Sequence, residues 1–260
     1  MLHEIMETLM NKNLKDEIDT IATKYVKTVN VLFSTMIFYN TSILYAAETN
    51  EERLMSEYNE LETDLRALYN DHGDNFYTRV VKKHMRSMCF TSLVSAFEEF
   101  LTELSILALK KHPHKISGEQ IEFKKVIEMS KDEIIEYKAK EYLNKIMYMA
   151  PKDYLKALCQ LLSVEQGTLK DSFSKYIEVK ARRDLGVHND WKKNEVYIKK
   201  VNEAGTSIPE DALSLRPSHE YLKYSNAVCR DLLSKIINQS CENLFKVKPF
   251  QWTIIEIPTI

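Results

Sequence analysis

NLKDEIDTIATKYVKTVNVLFSTMIFYNTSI, residues 13–43, carries apolar side chains at Leu14, Ile18, Ile21, Tyr25, Val29, Leu32, Met36, Tyr39 and Ile43. Steps of three and four residues place them on one stripe of an α-helix. Asn13, just before the stripe, suits a helix N-cap. The most apolar run, Val29 to Ala47, is interrupted by Asn30, Ser34, Thr35, Asn40, Thr41 and Ser42. A bilayer-spanning helix needs roughly 20 predominantly apolar residues, so the run reads as buried helix and no membrane contact is expected. After Glu48-Thr49-Asn50 a second stripe, Leu54, Tyr58, Leu61, Leu65 and Leu68, repeats like a coiled-coil seam. Asn50 with Glu51 and Glu52 makes a helix start, because acids favour the positive end of a helix. Two helices joined by a short connection predict an antiparallel hairpin over residues 1–75, serving either as packed core or as an arm that binds a partner or dimerises.

Beyond the turn at Asn70-Asp71-His72-Gly73-Asp74, a long helix is predicted from about residue 76 to Lys111, with Leu93, Phe97, Phe100, Leu101 and Leu104 on one face. Ser117 with Gln120, and Ser130 with Glu133, have capping-box spacing. Pro151 suits a first helical position and opens a helix through Leu162. Thr168 with Asp171 opens the helix that carries Arg182 and Arg183 toward His188. Residues 202–217 read as an exposed loop, and Ser218 caps a last helix to about Phe245. The tail, 249–260, is β-branched and aromatic and suits a short strand or an apolar strap. Residues 76–248 are therefore expected to form one helical bundle, and the fold class is all-α.

Composition supports that class. Of 260 residues, 44% are hydrophobic and 28% charged, with only 5 Gly and 6 Pro; few turn residues mean long helices joined by few loops. Cys89, Cys159, Cys229 and Cys241 are widely spaced with no CxxC pair, so neither a zinc site nor a disulfide framework is expected. His84, His112, His114 and His219 lack metal-ligand partners at helical spacing. The start, MLHEIMETLMNKNLKDE, lacks the features of a signal peptide, and a reducing, cytoplasmic setting is the simplest expectation. A net charge of −2 argues against a broad basic face for duplex nucleic acid, so any nucleic-acid contact is expected to be local. No glycine-rich phosphate loop occurs, and Ser92, Ser95 and Cys159 have no base placed by spacing. Neither metal nor cofactor is expected.

The chemistry-bearing stretch is Lys180-Ala-Arg-Arg-Asp-Leu-Gly-Val-His-Asn-Asp-Trp191. Asp184 and His188, four residues apart, share a helix face, and Arg183 is long enough to reach the same pocket. Gly186 and Asn189-Asp190 weaken the helix, which puts His188 at a helix end beside a cleft. Metal-free RNA cleavage requires deprotonating a 2′-OH, stabilising a doubly charged phosphorane and protonating the leaving 5′-oxygen. Imidazole titrates near working pH and serves as acid or base; guanidinium offers a planar fork of donors for phosphate oxygens. Asp184 is placed either to orient the imidazole or to hold Arg183.

Arg183-Asp184-Leu-Gly-Val-His188 resembles the Arg-(polar)-x3-His signature of the HEPN superfamily. Tyr176 to Arg182 is similar to the helix leading into that motif, and the Gly205 loop with Tyr221-Leu222 to the segments after it. Ser92 to Leu101 is similar to the opening helix of such domains, with Glu98 at the acidic position. The resemblance covers about residues 80 to 245. It implies a helical-bundle endoribonuclease that dimerises, bringing two Arg/His motifs into one composite site. It further implies products with a 2′,3′-cyclic phosphate and a 5′-OH, and a role as a toxin paired with an antitoxin or as an abortive-infection effector against phage. Arg183, His188, Asp184 and Glu98 are the catalytic candidates it gives. Arg182, Asn189 and Trp191 are the candidates for substrate contact, with Trp191 either stacking a base or filling the interface. Asp184 departs from the Asn commonest after the Arg and would repel phosphate. Asp190 stands where one subgroup carries a modifiable Tyr. A non-catalytic helical dimer that binds RNA or a protein, and an antitoxin-like partner whose hairpin clasps another chain, are the competing expectations.

Overall fold

The structure, a computed structural model, describes residues 2–49, 82–116, 120–206 and 214–249. Within them the chain forms eight α-helices: α1 (Leu2–Thr49), α2 (Lys82–Lys111), α3 (Phe123–Glu128), α4 (Lys131–Met147), α5 (Pro151–Leu162), α6 (Gln166–His188), α7 (Glu195–Ala204) and α8 (His219–Ser240). A 3-10 turn at Pro113–Ile116 follows α2, and a π-helical turn at Cys241–Phe245 follows α8. No strand occurs among the described residues, where the single antiparallel bridge joins Lys192 to Ser214. The fold is all-α. The second helix expected for the N-terminal hairpin (54–68), the turn at 70–74 and the tail 250–260 lie outside the described residues.

α2 is the axis of the bundle. Phe90, Leu93, Val94, Phe97, Leu104, Ala108 and Leu109 are fully buried and point in several directions around it. A helix apolar on so many sides belongs in the middle of a core, and α2 packs against α1, α4, α5, α6 and α8.

α1 lies along α2 and contributes to the same core. Its buried stripe runs Leu14, Ile18, Ala22, Tyr25, Val29, Phe33 and Met36. Steps of four, four and three average about 3.67 residues per turn, close to a straight helix. The stripe departs from the one expected from spacing: Ala22 and Phe33 are buried where Ile21 and Leu32 were expected, and Tyr39 is 42% exposed. Asn13 is not an N-cap, because α1 begins at Leu2 and runs through it. The Tyr25 ring sits 6.0 Å from those of Phe97 and Phe100, and Lys24 reaches Glu99 at 2.7 Å and Glu103 at 2.5 Å.

Several helix starts lie where capping chemistry puts them. Ser130 and Glu133 form a capping box at α4, Pro151 begins α5, and the Ser218 hydroxyl accepts from the Tyr221 N–H at α8. Two differ. α6 starts at Gln166, ahead of Thr168, with the Glu165 N–H donating to the side chain of Gln239 on α8. Ser117 is outside the described residues, and the helix after it, α3, begins only at Phe123. The first three residues of the loop expected over 202–217 belong to α7, and residues 207–213 lie outside the described residues. α7 continues to Ala204 and stops at Gly205, whose φ of 73° is a left-handed conformation that suits glycine. At the far end Leu215 is 1% exposed.

Candidate active site

α6 carries the candidate motif on its last two turns, and the chain reverses sharply after His188. The Leu185 carbonyl accepts from the N–H groups of Asn189 (2.8 Å) and Trp191 (3.0 Å). Asp190 (φ 46°) and Trp191 (φ 63°) both take left-handed conformations, unusual outside glycine. Contacts on every side hold the reversal. Asn189 Nδ2 donates to the Lys192 carbonyl (2.7 Å), Arg216 pairs with Asp190 (2.8 Å), and the Leu215 N–H donates to the Trp191 carbonyl (2.8 Å).

The result folds the Trp191 ring back over Gly186, 5.8 Å from the ring of Phe90 on α2. A Cβ on Gly186 would lie 2.4 Å from the indole. Gly186→Ala is therefore expected to cost about 1–3 kcal/mol through overpacking; thermal denaturation checks it, and an unshifted midpoint would show that the indole does not occupy that space.

Two of the residues expected to contact substrate lie in the core instead. Trp191 is 5% exposed and fills the bundle, leaving no face for a base. Arg182, 3% exposed, points into the core, where its Nε donates to Glu178 Oε1 at 2.9 Å and its guanidinium stacks 3.6 Å from the Tyr221 ring centroid. The phenol hydroxyls of Tyr197 (2.7 Å) and Tyr221 donate to the same carboxylate. Burial and the neighbouring Glu178 push the Tyr197 and Tyr221 phenols above their ordinary range, so both remain donors. This cluster ties α6 to α7 and α8. Asn189 lines the cleft described next, but its amide nitrogen is engaged by the turn.

Arg183, Asp184 and His188 open on the other side of α6, into a cleft of about 600 Å³. Its walls come from α2 (Glu98), the end of α4 and the turn after it (Asn144, Met147 to Met149), α6, and α7 (Asn194 to Lys200). Ligand sites commonly occupy about 300–1,000 Å³. Glu98 accepts from both Arg183 and Lys180, one turn apart on α6. Asp184 lies 3.5 Å from Arg183 and 3.3 Å from Lys200. Asp184 is thus within ion-pair distance of Arg183, the geometry that holding Arg183 would need, and Lys200 offsets part of its charge. His188 is exposed at the helix end. The cleft gathers three cations, Lys180, Arg183 and Lys200, against two carboxylates, Glu98 and Asp184, with the imidazole beside them.

Glu98 faces this cleft, while its neighbour Glu99 pairs with Lys24 of α1. Lys180, Lys200, Tyr148, Asn144 and Asn194 line the cleft without having been singled out in the sequence. Lys180 had a signal, being three residues before Arg183 and so on the same face. The others come from elements whose packing no local pattern specifies.

The four cysteines are buried and form no disulfide, and burial pushes the Cys159 thiol up to about 11, which leaves it a poor nucleophile. Among the described residues, no three His, Cys, Asp or Glu side chains converge as a metal-ligand set, and no helix is long and apolar enough to cross a membrane. Comparison with family models, curated proteins and solved structures gives no significant match to this chain.

Proposed function

We propose that this chain is a metal-independent endoribonuclease of the HEPN type, acting as a toxin or anti-phage effector through a composite site between two copies. One observation carries the reading. An exposed imidazole and a carboxylate-anchored guanidinium share one cleft with two further lysines. That is an acid–base group beside a cluster of phosphate ligands. In the reaction, one His188 removes the proton from a 2′-OH and the freed oxygen attacks the adjacent phosphorus. Arg183, with Lys180 and Lys200, stabilises charge on the phosphorane oxygens. The P–O5′ bond then breaks, and the His188 of a second copy donates the proton to the leaving oxygen. The products are a 2′,3′-cyclic phosphate and a 5′-OH. Glu98 acts as a positioning residue, fixing the rotamer of Arg183.

The test is cleavage of single-stranded RNA in excess EDTA, with the product termini identified. Undiminished cleavage leaving cyclic phosphate ends is expected; activity that vanishes with EDTA, or products bearing a 5′-phosphate, would remove the reading.

The engagement of Arg183 by both Glu98 and Asp184 favours a second reading, in which the pair is structural and the chain binds RNA or a protein without cutting. The two differ in what His188 does, since an exposed imidazole adds little to stability.

A further inference from the structure

We infer that Tyr148 is the shelf on which a base of single-stranded RNA stacks beside the scissile phosphate, an assignment that rests on the nuclease reading and names the substrate contact it lacks. Tyr148 follows the last residue of α4 and is 91% exposed, yet it lines the same cleft as His188 and Arg183. Met149 (37% exposed) and Val196 (63% exposed) line that cleft with it.

The cleft therefore has two characters. Its α6 side is ionic, with Lys180, Arg183 and Asp184, whereas the turn after α4 and the start of α7 supply an aromatic and aliphatic rim. A nucleotide is divided the same way, into an anionic phosphate and a flat base. Aromatic rings beside a cationic groove are how proteins hold single strands with little sequence preference, because every base has a π-face. In a duplex the bases are stacked on each other and the ring has no face to meet, which restricts the subsite to unpaired RNA. With a net charge of −2 for the whole chain, attraction to the backbone is local, and stacking supplies contact that charge does not.

The backbone that carries the shelf is set by the end of α4 and the start of α5. The Met149 N–H donates to the Ile146 carbonyl at 3.1 Å, and Pro151 at the first position of α5 fixes the backbone two residues further on. The original candidate for stacking, Trp191, is buried, so Tyr148 takes over that role from another part of the chain.

The experiment measures binding of two short labelled probes to the full chain: a 2′-O-methyl oligoribonucleotide, which has no 2′-OH to attack, and an abasic sugar–phosphate strand of equal length. Tyr148→Ala is expected to weaken the base-bearing probe by about 5- to 150-fold, the range of one stacked base. Binding of the abasic probe is expected to stay unchanged, and Tyr148→Phe to bind as the parent does. An equal loss for both probes, no loss for either, or no binding of the parent chain overturns the subsite. A change in association state of Tyr148→Ala without RNA overturns it in favour of a protein contact. Cleavage of unmodified RNA is read separately. A parent chain that holds bases through Tyr148 and cuts nothing sustains the subsite and removes the nuclease reading.

Discussion

RNA cleavage is expected to fall by about 10²–10⁴ when His188 is replaced by Ala, the usual contribution of a positioned acid or base. The imidazole is exposed on the last residue of α6. Its loss should therefore leave the melting temperature within about 2 °C of the parent, as for most surface substitutions. Both halves of the result matter. A large rate loss with an unmoved transition assigns the side chain to chemistry. A transition lowered by several degrees with cleavage retained would assign it to structure. Arg183→Ala is expected to reduce cleavage by a further route, about 10²–10³ for loss of a charge-stabilising donor. It also removes one of the two cations held by Glu98, so a stability loss should accompany it. His188→Ala is the cleaner substitution.

The largest stability effect is expected on the buried side of α6, at Glu178. This carboxylate is 2% exposed and accepts from Arg182, Tyr197 and Tyr221, on three different helices. Glu178→Ala leaves a buried guanidinium uncompensated and two phenol hydroxyls without their acceptor. Breaking a buried ion pair from one side costs about 3–5 kcal/mol, because the remaining charge is stranded. In a chain of this size that lowers the melting temperature by roughly 10 °C. Replacing both partners, Glu178→Leu with Arg182→Leu, is expected to recover part of the loss, since a buried pair exchanged for apolar groups is often close to neutral. Circular dichroism melting of the single and double variants decides it. A single variant within about 1 kcal/mol of the parent would mean that the four groups do not act as one unit.

Much of the bundle was legible in the sequence because its signals are local. The capping box at Ser130 and Glu133, Pro151 at a helix start and the apolar face of α2 each follow from the residues within one turn. The first stripe was traceable at Leu14, Ile18, Tyr25, Val29 and Met36 but not at Ile21 and Leu32, because a choice between Ile21 and Ala22, or between Leu32 and Phe33, depends on what lies opposite. The site divides in the same manner. Arg183, Asp184 and His188 share a helix, so their proximity is a matter of spacing. Arg182 and Trp191 were misjudged for a common reason. A charge and a large ring look available in a sequence, and their burial rests on Glu178, Tyr221, Gly186 and Phe90, partners contributed in part by other helices. Lys200 and Tyr148 reach the cleft only through tertiary packing, which no periodicity encodes.

The seating of Trp191 on Gly186 couples two positions that look independent in the chain. The space above the helix is filled by one side chain or the other, never by both. As the sequence diverges, bulk gained at 186 must be surrendered at 191, so the two should drift as a correlated pair with their combined size held constant.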